Sequence, residues 1–404
     1  MRWFFPPCLA LGLFLPIIAT AQIDPVERDL IQFGYNQPTE GQEPVSGYAY
    51  YYHNDPNFLA DTNLTLRLAL APTYLDSELG FKHLLGPNTD LGIGLAGGGF
   101  ADNYNEIRAG KWIKDESFDG YGAELSASLY HLFNPTQLIP LNLVVRTAAH
   151  YSTYSRDNTA PDFQLPDSGV NFTVRSGLRY GGIEPTLFPD LAMELAVWYQ
   201  GDFRTDPGGY GFNDDRQIES VSHLFWGSAA LSYTLPESKQ NIFVRVVAGT
   251  TVDADRLSAY RLGGYLPLVA EYPLSLPGYM FQEFSARDFA LINASYIVPI
   301  APNERWNLEF NGATADIDYL PGTGEGQLGN WVSGVGGGIM YRSPSDQFKC
   351  LLNYGYGIDA LRASGRGASS VSILIQVDLG RFHSKDFDAG QPNRWQGWNW
   401  LLGR

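Results

Sequence analysis

The feature that most constrains this chain is a two-residue alternation of apolar and polar side chains that returns some fifteen times along it. In 305–312, Trp306, Leu308 and Phe310 share one face, while Arg305, Asn307, Glu309 and Asn311 share the other. In 141–151 the apolar set is Leu141, Leu143, Val145, Ala149 and Tyr151, opposite Asn142, Arg146 and His150. Near the C-terminus Val371, Ile373, Ile375 and Val377 oppose Ser370, Ser372, Gln376 and Asp378. A period of two belongs to extended backbone, whose successive side chains leave on opposite sides.

The connections between these segments add an independent constraint, because short and long ones alternate. Short links at 86–88, 133–140, 182–189, 236–239, 301–304 and 343–346 alternate with long ones at 101–119, 153–170, 203–219, 252–285, 317–330 and 358–368. Barrels of the bacterial outer membrane have short periplasmic turns and long outer loops. A soluble sandwich has no reason to place a long loop at every second connection. The pattern predicts an all-β transmembrane antiparallel β-barrel. Fifteen strands can be counted, Leu30–Tyr35 supplies a further one, and an even number favours sixteen.

The N-terminus gives the compartment. Arg2 precedes an apolar run over 4–18, and Ala19-Thr20-Ala21 provides a cleavage site, so 1–21 reads as a secretory signal peptide. About fifteen apolar residues fall short of the roughly twenty that a membrane helix needs. The barrel is expected over 22–382, followed by a Trp-bearing tail at 383–404. Removing the signal leaves Cys350 as the single cysteine, which excludes internal disulfides and CxxC chemistry. The formal net charge of −16 argues against nucleic acid as a partner. Outer-membrane lipid and lipopolysaccharide remain as surroundings, with a periplasmic or outer-membrane protein as a further partner.

No catalytic, metal or cofactor site emerges. Gly92-x-Gly94-x-x-Gly97 matches a dinucleotide fingerprint as a string but lies in a strand, where that mechanism needs a helix N-terminus. His150 with Ser152 is the only nearby histidine–hydroxyl pair, a catalytic histidine also needs an orienting third group, and no GxSxG occurs. The acidic loop residues, among them Asp102, Glu106, Asp115 and Glu116, lack oxygen-ligand spacing and read as solvated. Parity places Arg67, Arg146, Arg175, Arg179 and Arg245 inside the barrel with Glu194 and Glu309. These charges either pair across the lumen to hold its shape or line a water-filled path. In the second case the Arg175/Arg179 ladder would set the selectivity of a diffusion channel. Tyr48, Tyr50, Tyr52, Trp306, Tyr319 and Trp331 suit interfacial girdles.

One connection does not look like a loop in water. "YRLGGYLPLVAEYPLSLPGY", 260–279, is long and apolar, and five strands follow it. Together with 280–300 it resembles the barrel of the BamA/TamA/FhaC superfamily, the bacterial surface antigens. The resemblance rests on Leu262-Gly263-Gly264, the tip Gly278-Tyr279 and "ALINASYIVPI" at 290–300. It implies a sixth outer loop folded into the lumen, with Arg261 at its entry and a tip at Leu276-Pro277-Gly278-Tyr279. Pro277 stands where the family carries an arginine. Arg261 or Arg287 can take that arginine's place, with Asp316 as acceptor. The resemblance also implies a form without the soluble POTRA domains, and a role in membrane assembly or in inserting or moving a protein or lipid. A weakly paired seam between 30–35 and 369–380 would serve that role. A solute channel and a non-transporting structural barrel stay open as alternatives.

Overall fold

The computed structural model describes residues 26–41, 46–270, 272–301 and 304–380. The expected signal peptide and tail lie outside the described residues. Sixteen antiparallel strands close into one barrel. They are β1 (Arg28–Pro38), β2 (Ser46–Asp55), β3 (Leu64–Leu70), β4 (Tyr74–Phe81), β5 (Thr89–Gly99), β6 (Asp119–Leu132), β7 (Leu141–Ser155) and β8 (Gly169–Gly182). The second half comprises β9 (Leu191–Arg204), β10 (Val221–Thr234), β11 (Asn241–Val252), β12 (Phe284–Pro299), β13 (Trp306–Tyr319), β14 (Trp331–Arg342), β15 (Phe348–Arg362) and β16 (Gly365–Asp378). A short strand, Tyr260–Leu262, pairs with β12 outside the ring.

The alternation read from the sequence sorts the two faces. Leu125, Val197, Phe310 and Leu352 are all more than half exposed and point away from the lumen. An apolar surface of this extent, carried round a closed barrel, is a lipid-facing belt. The inward positions include Gln32, Asn36, Asn142, Arg179, Arg245, Glu309 and Asn353, all buried. Gly92 also faces inward, where a Cβ would come within 2.7 Å of the Glu78 carboxyl carbon, so the glycine makes room for a buried charge.

Three details depart from the expected pattern. The connection expected at 358–368 is instead an extension of β15 and β16 around Ala363 and Ser364. Tyr48 and Tyr50 turn into the lumen, where Tyr50 Oη donates to Leu268 O at 3.4 Å, and Tyr52 lines the same cavity. Only the exposed Trp306 and Trp331 keep a clear girdle position. Pairing is also uneven. β6 and β7 share fourteen register pairs, β1 and β16 nine, and β2 and β3 only five, from Tyr51↔Leu70 to Asp55↔Leu66. The joint between the first and last strands is therefore not the weakest one.

Candidate functional site: the occupied lumen

Residues 253–283 connect β11 to β12 and fold into the barrel. Two glycines begin the descent. Gly263 and Gly264 have φ of +138° and +69°, conformations that side chains resist. Leu276 N donates back to Gly264 O at 2.9 Å, closing 265–275 into a lobe. Leu262, Leu266, Leu276, Tyr279 and Met280 are almost fully buried. Each buried side chain of this kind contributes about 2 kcal/mol, which explains why an apolar loop stays inside a polar-lined barrel.

The tip is seated by close backbone approach. Pro277 O lies where a Cβ on Gly334 would be 2.1 Å away, and Gly355 packs on Pro277 and on the Gly278 nitrogen. Gly278 N donates to Ser370 Oγ at 3.1 Å, and Tyr279 Oη donates to Ser333 O at 3.0 Å. Asp359 accepts from Ser333 N at 2.9 Å, so the same residue of β14 is held from two sides. Asp359 sits in a bulge of β15, where the register slips between Gly357 and Leu361.

Proline at the tip is accompanied by a different ionic fastening. Arg362 donates to both Glu283 oxygens, at 2.8 and 3.1 Å, with both side chains almost wholly buried. Sequence parity misses this pair because the bulge before it reverses which residues of β15 face inward. Of the candidates named for the latch, Arg261 instead donates to Asn105 O at 2.7 Å and to Gln282 O at 2.9 Å. Arg287 and Asp316 do not belong to the lumen at all. A register break between Ala286 and Asp288 turns Arg287 to the exposed outer rim, where it pairs with Asp318. Asp316 lies on the outward parity of β13, opposite the inward Ala315 and Ile317.

The lobe meets a second insertion from below. The turn between β8 and β9 carries Leu187, which packs in one cluster with Tyr265, Leu266, Met340, Leu351 and Leu374. Gln376 Oε1 accepts from Leu187 N at 2.8 Å and from Gln32 Nε2 at 2.9 Å, and Gln32 also donates to Pro185 O at 2.8 Å. This turn therefore fastens β1 to β16 from inside. Tyr265 Oη donates to Glu309 at 2.5 Å, and Asn353 donates to the other Glu309 oxygen at 2.9 Å.

Above the lumen the outer loops form a cap. Glu106 and Glu116 are buried in it, not solvated as expected. Arg256 donates to Glu106 at 2.7 Å, Arg108 lies 3.2 Å from it, and Arg216 and Arg108 both pair with Glu116. Burial pushes the Tyr104 phenol upward, against the pull of the Arg261 cation. Tyr104, Phe118, Phe163, Tyr210 and Ile218 form the small core beneath these charges.

Beside the lobe and the turn a cavity of about 1140 Å³ remains, and the expected arginines gather there: Arg67, Arg146, Arg175, Arg179 and Arg245, with Glu194. Arg146 donates to Glu124 at 2.7 Å. Arg67 stands opposite Glu78, which accepts from Ser128 at 2.8 Å and Tyr130 at 2.7 Å. Arg175 stacks 4.6 Å from the Trp198 ring and 5.0 Å from that of Trp226. Glu309 lies apart from these, under the lobe.

Among solved structures the chain is similar to CdiB from Acinetobacter baumannii, at 10% identity and a TM-score of 0.55 over 87% of this chain and 60% of that one. CdiB from Escherichia coli gives 10% identity and a TM-score of 0.55 over 86% and 62%. BamA from Haemophilus ducreyi lacking POTRA domains 1–3 gives 11% and 0.52 over 86% and 70%. The likeness is one of fold: a closed sixteen-stranded barrel like those of CdiB and BamA. The chain spans about three fifths of the length of the CdiB chains it matches. No family model and no curated protein matches the sequence.

Proposed function

We propose that this outer-membrane barrel of the BamA/TamA/FhaC fold inserts or translocates a polypeptide or lipid by parting β1 from β16. The reading is carried by the doubly inserted lumen. A loop descends from one end, a turn rises from the other, and the turn holds the seam through Gln32 and Gln376. A solute pore would gain nothing from two internal obstructions, whereas a gate needs a fastening that can be withdrawn. The fastening combines the uncharged hydrogen bonds of Gln32 and Gln376, worth about 1 kcal/mol each, with one ion pair from Arg28 to Glu184, a small set of links that permits opening without unfolding. The nine ladder pairs of β1 with β16 then have to separate, and their freed backbone groups would be offered to an incoming strand.

Cysteines at Phe33 and Ile375, register partners on the lipid-facing side, test this without touching the Gln32–Gln376 bond, in a Cys350→Ser background because Cys350 is the partner of Ile375 on β15. Proteoliposomes bearing the reduced variant should accelerate insertion of an unfolded outer-membrane β-barrel over empty vesicles, and oxidation should abolish the gain. Persistence of the gain in the oxidised variant would rule out the seam. No gain in the reduced state would rule out assembly of proteins.

A further inference from the structure

We propose that the lumen takes an anionic lipid sideways from the outer leaflet, through a slot between β2 and β3 that is separate from the β1–β16 seam. The slot follows from unequal strand lengths. The β2–β3 ladder ends at Tyr51↔Leu70, and β3 then turns into β4 through Ala71, Pro72 and Thr73. The outer part of β2, 47–50, keeps β1 on one side and has no strand on the other among the described residues. Four residues of extended chain make this gap about 13 Å long.

Its depth in the membrane is fixed by its neighbours. Ala49 is the direct partner of Phe33, and Phe33 of Ile375. Phe33 is 37% exposed on the lipid-facing side. The gap therefore opens at the level of the apolar belt and not above it. Bare strand edges in hydrocarbon are costly unless they border a cavity. Here they do: the lining of the large cavity runs without interruption from Phe33, Gly47 and Ala49, through Ala69 and Ala71, to Arg67 and the other arginines. At the opening Gly47, Ala49, Ala69 and Ala71 are small, which leaves width for a hydrocarbon chain beside the rings of Tyr48 and Tyr50.

The chemistry inside selects the occupant. Five arginines line the cavity: Arg67 and Arg146 are matched by Glu78 and Glu124, and Asp76 and Glu184 also lie in the lining. Arg175, Arg179 and Arg245 gather about Glu194, so that part of the cavity is locally basic in a chain that is acidic overall. Aromatic rings from Tyr48, Tyr50, Tyr52 and Trp198 share the walls. An amphiphile with a phosphate headgroup satisfies both requirements. Its headgroup would face the guanidinium groups, which suit phosphate geometry. Its chains would pass out between Ala49 and Ala71 into the leaflet. A polypeptide strand laid on the β2 edge is the competing occupant, and it would meet the β3–β4 turn after about four residues.

The test places benzoylphenylalanine at Ala69, which faces inward, in the full chain reconstituted with radiophosphate-labelled lipid. A second label at the lipid-facing Ile31 controls for photochemistry, and heat-modifiable migration controls for folding. Ala69 should capture phosphatidylglycerol about tenfold more than phosphatidylcholine, as expected for one additional charge-assisted contact. Ala49→Trp, which stoppers the slot from outside the lumen, should cut that capture about as much. Arg179→Gln with Arg245→Gln should erase the preference between the two lipids. Absence of lipid adducts at Ala69, yields indifferent to Ala49→Trp, or adducts only to polypeptide when cell envelopes are irradiated would each overturn the proposal.

Discussion

Replacing Arg362 with methionine will unseat the lumen loop. The arginine donates twice to Glu283 in a site closed to water. Removing one partner leaves a buried carboxylate without its cation, a loss of about 3–5 kcal/mol. A cysteine at the fully buried Met280, in a Cys350→Ser background, reports the event, since maleimide reaches it only when the loop leaves the lumen. Labelling should accelerate at least a hundredfold, the equivalent of about 3 kcal/mol. Glu283→Gln should give a smaller gain. The double variant Glu283→Gln/Arg362→Met should label more slowly than Arg362→Met alone, because no charge is then stranded. Equal labelling of the parent and Arg362→Met would show that apolar burial alone seats the loop.

That pair also marks where the sequence stops being legible. Alternation and loop lengths are local properties, and they are enough for sixteen strands and for the inward set of Arg67, Arg146, Arg175, Arg179 and Arg245. The lumen loop was legible because an apolar stretch with Gly263-Gly264 has no stable place in water. Bulges are a different matter. One near Arg287 and another at Ile358–Ala360 each reverse parity, so Arg287 is sent outward and Arg362 inward against a simple count. The short β2–β3 ladder is likewise invisible locally, because its cause is the length of β3 relative to a strand distant from it in register. Nor can alternation tell a girdle tyrosine from a lumen tyrosine when, as with Tyr48 and Tyr50, the inward neighbour is an inserted loop.

Excising the lobe should turn an occluded barrel into a conducting one. Gly264 and Leu276 already face each other as a bridge, so 265–275 can be replaced by two glycines without moving the ends. The excision removes Tyr265 and Leu266 from the cluster that they share with Leu187 and Leu374. It leaves the tip 276–279 on Gly334 and Gly355, and leaves the Glu283–Arg362 pair intact. The turn between β8 and β9 then loses part of its apolar contact, and it keeps the Gln376 bond to Leu187 N, the Lys349 bond to Leu187 O at 3.0 Å, the Gln32 bond to Pro185 O and the Arg28–Glu184 ion pair. These links contribute about 1–3 kcal/mol each at most, so the turn is loosened by the burial that has been removed but stays attached. The turn should therefore fluctuate, and planar bilayers should record large openings that flicker, not one steady level. Adding Leu187→Gly should convert the flicker to a sustained open state. Unchanged conductance in the excised variant would place the obstruction in the outer cap, around Glu106 and Arg256, and not in the lobe.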